Sequence, residues 1–305
     1  MNTSASTEIA VPAAALPGAE PIPFGVDDDV AATLALLDAR ASTVIRITGL
    51  PSAGSDRATF RIALDDGRVV KARRLRRAAK AERFAGLVRA LACERLAPVL
   101  AVQGRICIEG WIEGVPLSAL PVRPERLPAA ADLLGALHAT RTLRGRWVHG
   151  RRSTERLRHR SERRLGKLAV AGLLAPAEAA ALVRALRRHA PDRADTGITH
   201  NDLCPENLVE DARGRVIAVD NEGLRIGFLD LDLARTWSRW PMPEADWTAF
   251  LARYGTWRQA PAAPAATPFW RIAAIVKSAH LRSARAPAHA GVPLRRLEEL
   301  LAQLG

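Results

Sequence analysis

The stretch ITHNDLCPENLVEDARGRVIAVD, Ile198–Asp220, sets Asp202, Asn207 and Asp220 in a telling arrangement. His200-Asn201-Asp202 is followed by four residues and then Asn207, the frame H-x-D-x-x-x-x-N. In that frame an Asp can orient a hydroxyl and an Asn can hold a metal ion during phosphoryl transfer. After Asn207, Leu-Val-Glu passes through the turn-rich Asp-Ala-Arg-Gly into the β-branched run Val216-Ile217-Ala218-Val219. This predicts a short antiparallel hairpin. With its midpoint near Arg213-Gly214, the hairpin is expected to return Asp220 to face Asn207. Two oxygen ligands so placed suit Mg²⁺, a hard cation that takes one or two carboxylates and fills its shell with phosphate and water. His-Asn-Asp before a proline is also ordinary turn chemistry. The hairpin and the apolar approach to Asp220 favour the site.

Such a site needs a cation for the phosphates. The chain almost avoids lysine, and Lys71 is one of the few. It ends Gly67-Arg68-Val69-Val70-Lys71, which follows Thr59–Leu64 and the turn Asp65-Asp66-Gly67. A hairpin is predicted whose second strand delivers a compact, mobile point charge. The competing reading is one more surface cation in the basic run Lys71–Arg77. Glu82 lies on the next helical segment, Ala78–Leu91, and is the expected partner of Lys71, with Glu94 the alternative.

These segments resemble the aminoglycoside phosphotransferase and choline kinase-like family, over about residues 40 to 285. Four further stretches carry the likeness. Ile106–Leu117 is similar to the family's hinge, and Leu133–His138 to its L-x-x-L-H helix. Asp220-Asn221-Glu222 stands where Asp-Trp-Glu is usual, and Asp230–Ala234 is similar to the downstream D-L-A element. The resemblance implies an α+β, bilobal protein-kinase-like fold: a small N-terminal mixed β lobe with one helix, then a larger, mostly helical C-terminal lobe. It implies adenine binding by the backbone around Glu109–Trp111, with GTP left open as the nucleotide. No G-x-G-x-x-G loop is present; the candidate phosphate-covering turn is Leu50–Asp56. Asn221 replaces an aromatic, and no Phe-Gly follows Asp220, which argues against a protein-kinase-type activation segment.

A chain of 305 residues can bury two lobe-sized cores. Its net charge of +13 could signal nucleic acid or an anionic membrane. The arginines are dispersed, however, and no RNA-binding motif or aromatic stacking set is visible. The densest stretch, Arg141–Arg164, is expected to be a solvated basic helix, or else an anion-collecting surface. Cys93, Cys107 and Cys204 are far apart and lack C-x-x-C spacing, so a reducing, cytoplasmic setting is expected and a zinc site is not. Cys204 is expected as a packed small side chain. No apolar run suits a transmembrane helix, and no signal peptide is read. Residues 1–25 read as a disordered tail, 26–110 as the nucleotide-binding lobe and 111–305 as the catalytic and acceptor lobe. Helices are expected at Asp27–Ala39, Ala78–Leu91, Pro128–Thr140, Ser153–Leu174, Pro176–Arg188, Pro243–Tyr254, Pro268–Arg285 and Pro293–Leu304. Trp237, Trp240, Trp247, Trp257 and Trp270 are expected in the core rather than in a cage for a cation.

The chemistry expected is transfer of the γ-phosphoryl of ATP to a hydroxyl. Asp202 is the base, Asn207 and Asp220 hold Mg²⁺, Lys71 neutralises phosphates and Glu82 positions it. Glu109 and Trp111 flank the adenine. His200 and Asp232 brace the loop. Carboxylates are scarce after Asp232, which points to a neutral or anionic acceptor rather than a polycationic aminoglycoside. A catalytically silent nucleotide-binding regulator is the rival class.

Overall fold

The computed structural model describes residues 19–21, 28–47, 59–120, 126–257, 267–285, 287 and 290–304. The first lobe is one antiparallel sheet of β1 (Ala19–Pro21), β2 (Ala41–Ile47), β3 (Thr59–Leu64), β4 (Val69–Arg74), β5 (Val99–Gln103) and β6 (Ile106–Gly110). Its order is β1-β2-β3-β4-β6-β5. Period-two alternation gives it two faces. Phe60, Ile62, Leu64, Val70, Ala72, Ile106 and Ile108 point to one side, against Val30 and Leu34 of α1 (Asp28–Leu34). The opposite face meets α2 (Ala78–Leu91), whose Ala81, Phe84, Ala85 and Val88 are buried with Leu75, Val99 and Cys107. That second core runs on into the other lobe. The β3–β4 turn is the one read from Asp65-Asp66-Gly67, with Gly67 at φ 84°.

Two expectations change here. Ala19–Pro21, read as part of an unstructured tail, pairs with β2 at the sheet edge. The helix expected over Asp27–Ala39 stops at Leu34 and continues as a 3₁₀ turn, Ala35–Leu37. Asp38 adopts the left-handed conformation and the Arg40 N–H donates to Asp65 Oδ1, turning the chain into the sheet. The turn Leu50–Asp56 lies outside the described residues.

The second lobe is mostly helical. It contains β7 (Val115–Pro116), α3 (Arg126–Ala139), β8 (Thr142–Leu143), β9 (Arg146–Trp147), β10 (Gly150–Ser153), α4 (Glu155–Val170) and α5 (Pro176–His189). Next come β11 (Arg193–Thr199), β12 (Leu208–Glu210), β13 (Val216–Ala218) and β14 (Arg225–Phe228). The chain closes with α6 (Leu229–Arg239), α7 (Glu244–Gly255), α8 (Thr267–Arg285) and α9 (Gly291–Leu304). Helices α4, α5, α6, α8 and α9 share one core, which includes Leu165, Leu182, Phe269, Ile275 and Leu297. Full burial of a side chain of the size of Phe269 stabilises by about 1.5–3 kcal/mol. Trp240, Trp247 and Trp270 are buried, Trp237 lies under Arg271 and Arg296, and Trp257 donates Nε1–H to Asp132. The core expectation holds for Trp240, Trp247 and Trp270, while Trp237 is half-buried and Trp257 is exposed.

Two small sheets, β7-β12-β13 and β10-β11-β14, hold the loops that matter. The chain leaves β11 at Thr199, makes the loop 200–207, enters the β12–β13 hairpin and returns through Asn221–Gly223 to β14. Gly223 passes so close to the first loop that a Cβ there would meet the His200 carbonyl oxygen at 2.5 Å. Only glycine permits that approach.

Candidate active site

The loop after β11 is held from beneath by one buried carboxylate. The backbone amides of His200 and Asn201 donate to Oδ2 and Oδ1 of Asp232, each at 2.6 Å, and His138 Nε2 lies 3.1 Å from the same Oδ2. Burial pulls the Asp232 carboxyl upward, but the His138 hydrogen bond and the charges around it hold it below the usual carboxylate value. His200 is fully buried and pairs through Nε2 with Asn221 Oδ1 at 3.0 Å, while Asn221 Nδ2 donates to the Ala218 carbonyl. Asn221, unusual at its position, therefore ties the Asp220 turn to the loop that His200 braces. Asn201 sits at φ 70° with Nδ2 donating to Thr199 Oγ1 and the Gly223 carbonyl.

Asp202 leaves this braced loop with its side chain 42 % exposed, and Asp220 is similarly open at 46 %. Both can meet ligands between the lobes. Asn207 Nδ2 donates to the Asp202 carbonyl at 2.9 Å and to Asp202 Oδ2 at 3.3 Å. Its side-chain oxygen thereby remains an acceptor. The expected register is corrected by one residue. Leu208 pairs with Ala218, so Asn207 stands opposite Val219, whose N–H donates to the Asn207 carbonyl, and Asp220 lies one residue further on. Asp220 is turned toward the first lobe by its left-handed backbone, φ 60°.

There it meets two cations. Lys71 Nζ is 2.8 Å from Asp220 Oδ1 and Arg73 Nη1 is 2.7 Å from the same atom. The Lys71 charge holds the Asp220 carboxyl far below the usual carboxylate range, against burial and with help from Arg73. A carboxylate oxygen that attracts two cations, beside an amide oxygen, is a hard-oxygen donor pair and fits a magnesium ion.

The partner assigned to Lys71 is different from the expectation. Glu82 and Glu94 are both exposed, and among the described residues neither pairs with Lys71. The reason lies in α2, whose inward face is Ala81, Phe84, Ala85 and Val88, so that Glu82 turns to solvent. The buried acid is Glu109 of β6, fully enclosed, with Oε1 2.6 Å from Arg73 Nε. Burial lowers the Arg73 value, but Glu109 and then Asp220 more than offset it, and the guanidinium stays charged. Lys80 completes the set with Glu222 at 3.1 Å. The Glu109 side chain is thus spent inside the first lobe, leaving only the backbone of Glu109–Trp111 for the adenine expected there. Trp111 donates its N–H to the Val69 carbonyl and carries Arg61 over its ring at 5.3 Å.

Three arginines near the loop were not anticipated. Arg239 Nη1 is 2.6 Å from Asp202 Oδ1 and its Nη2 lies 3.3 Å from Cys204 Sγ. Arg225 and Arg235 both donate to Asn201 Oδ1. A signal existed in the spacing Asp232, Arg235, Arg239, which shares one face of α6. Cys204 is buried and its thiol is pushed up by burial, a packed side chain as expected.

A braced H-x-D loop, an Asn–Asp ligand pair and a strand lysine between two lobes define a kinase-like phosphotransferase. The sequence profile of the phosphotransferase enzyme family matches residues 46–270, and the chain belongs to that family. It has the protein-kinase-like fold. Among solved structures, a macrolide 2'-phosphotransferase type I is similar at 17% identity, TM-score 0.63, over 90% of this chain and 95% of that one. Choline kinase LicA from Streptococcus pneumoniae is similar at 15% identity, TM-score 0.64, over 88% and 95%. LicA in complex with AMP is similar at 14% identity, TM-score 0.61, over 92% and 100%. Among curated proteins, none matches.

Proposed function

We propose that this kinase transfers the γ-phosphoryl group of ATP to a hydroxyl of a small neutral or anionic molecule, with Asp202 as the catalytic base. The observation that carries the reading is the pairing of Asp202 and Asn207 on one loop, with Asp220 and Lys71 closing the site from the hairpin and from β4. Asn207 and Asp220 would hold magnesium, which would supply positive charge against the phosphates. Lys71 exchanges its pairing with Asp220 for the phosphates. Asp202 orients the acceptor hydroxyl and takes its proton as the new P–O bond forms and the bond to the β-phosphate oxygen breaks, releasing ADP. Arg73 keeps Asp220 in place, and Glu109 keeps Arg73 in place; neither needs to touch the nucleotide. AMP is bound in one of the similar structures, which supports an adenine nucleotide here. Placement of adenine along the backbone of Glu109–Trp111 follows from the hinge-like position of β6 and the half-buried Trp111.

The test is ADP release with magnesium and a panel of hydroxylated metabolites. The account expects at least one acceptor to raise ADP release and to gain a phosphate ester. Nucleotide binding with no transfer to any hydroxyl would favour the silent regulator instead.

A further inference from the structure

Beside the catalytic loop, two cations converge on a neutral atom. Arg225 of β14 donates to Asn201 Oδ1 at 2.8 Å, and Arg235 of α6 donates to the same oxygen. One turn later on α6, Arg239 holds Asp202. The charges pressing on Lys277 of α8 are those of Arg235, Arg225 and Arg164 of α4. Arg282 of α8 lies in the field of Arg239 and Asp202. Two arginines thus meet on one amide oxygen and a third on Asp202, and the charges of Arg164, Lys277 and Arg282 act on the same group. The carboxylates acting there are Asp202, Glu206 and the buried Asp232, and Asp232 is committed to His138 and two backbone amides.

Neither Lys277 nor Arg164 has an ion-pair partner among the described residues. Both are half-buried. Burial, then the neighbouring guanidinium charges, pushes the Lys277 ammonium down to about 7. Crowding like charges away from water is costly unless a counter-charge arrives. Within the basic stretch, Arg141 lies over Trp147, and Arg158 pairs with Glu162.

The geometry points to an acceptor that carries an anionic group in addition to its hydroxyl, a phosphate, sulfate or carboxylate, seated on Arg164, Arg225, Arg235 and Lys277 while the hydroxyl meets Asp202. Guanidinium groups suit such oxyanions because their forked N–H groups can bind two oxygens together. The role of this molecule as acceptor rests on the phosphotransfer reading; the anion site itself does not.

Two measurements separate them. Calorimetry with inorganic sulfate is run on the full chain, with and without magnesium and a non-hydrolysable ATP analogue, comparing the parent with the Lys277→Met, Arg164→Met double variant. Turnover is then measured on matched alcohols: a sugar, its monophosphate, its sugar acid, and an alcohol bearing a quaternary ammonium. Sulfate is expected to bind saturably and at least about tenfold more weakly in the variant, with affinity for the ATP analogue as the folding control. An anionic member of the sugar set should exceed its neutral parent in kcat/KM by about tenfold or more, and the variant should lose that gain through KM. Equal sulfate affinity in variant and parent overturns the site. Preference for the neutral or cationic alcohols overturns its role as acceptor subsite. If the nucleotide fails to bind at all, the phosphotransfer reading falls, while the sulfate comparison without nucleotide still decides the anion site.

Discussion

The two sides of the cleft handle charge in opposite ways. On the nucleotide side, Lys71, Arg73 and Lys80 are matched by Asp220, Glu109 and Glu222, three cations against three carboxylates with the contacts made. On the acceptor side, Arg164, Arg225, Arg235, Arg239, Lys277 and Arg282 face half as many acids, and two of the arginines settle for an amide oxygen. A balanced cluster is a positioning device: its members hold one another until a ligand exchanges with one of them. An unbalanced one stores unfavourable energy that a ligand of opposite charge relieves. The chain's +13 is therefore informative only where burial prevents water from screening it.

The largest effect is expected on the balanced side. Asp220→Ala removes the carboxylate on which Lys71 and Arg73 meet, and with it one of the two residues proposed to hold magnesium. Magnesium-dependent binding of ATP should be abolished in calorimetry, and an unchanged affinity would separate Asp220 from the metal. Next comes Glu109→Leu. It leaves the buried Arg73 without its enclosed counter-charge, at a cost of about 3–5 kcal/mol in chemical denaturation. Adding Arg73→Met should recover much of that loss, since replacing both partners is far cheaper than orphaning one. A double variant no more stable than the single one would show that the pair is not what Glu109 supports.

The smallest effect tests the unbalanced side. Lys277 titrates at about 7 in the folded protein, against about 10.4 in an unfolded chain. Between those values the unfolded chain binds the extra proton, so stability contributed by this residue rises with pH, and the penalty is complete below about 7. Lys277→Met should melt above the parent at pH 6, and the gap should narrow as pH climbs toward 10. A gap independent of pH would mean that Lys277 carries no stored repulsion.

The gathering of the candidate site residues was largely legible because it is local. Asp202, Asn207 and Asp220 lie within one loop and hairpin, and the Gly67 turn sets Lys71 on its strand. What could not be read depends on contacts distant in sequence. Arg73 and Glu109 meet across paired strands, and strand register is a tertiary choice. The one-residue error at Asp220 arose in the same way, from a turn whose length has to be known to place its ends. Glu82 looked suitable on the helix following Lys71, yet helix rotation is set by the apolar face, and that face turns Glu82 outward. The acceptor cluster gathers residues from β14, α4, α6 and α8, more than a hundred positions apart, and only the 232, 235, 239 spacing on α6 hinted at it.

The most direct test of the account is Asp202→Asn, which keeps the shape of the loop and removes the proposed base. Paired measurements of ATP affinity and acceptor-dependent ADP release should show nucleotide binding retained and turnover reduced by roughly two to four powers of ten. A folded Asp202→Asn variant that transfers phosphate at the parent's rate would contradict it.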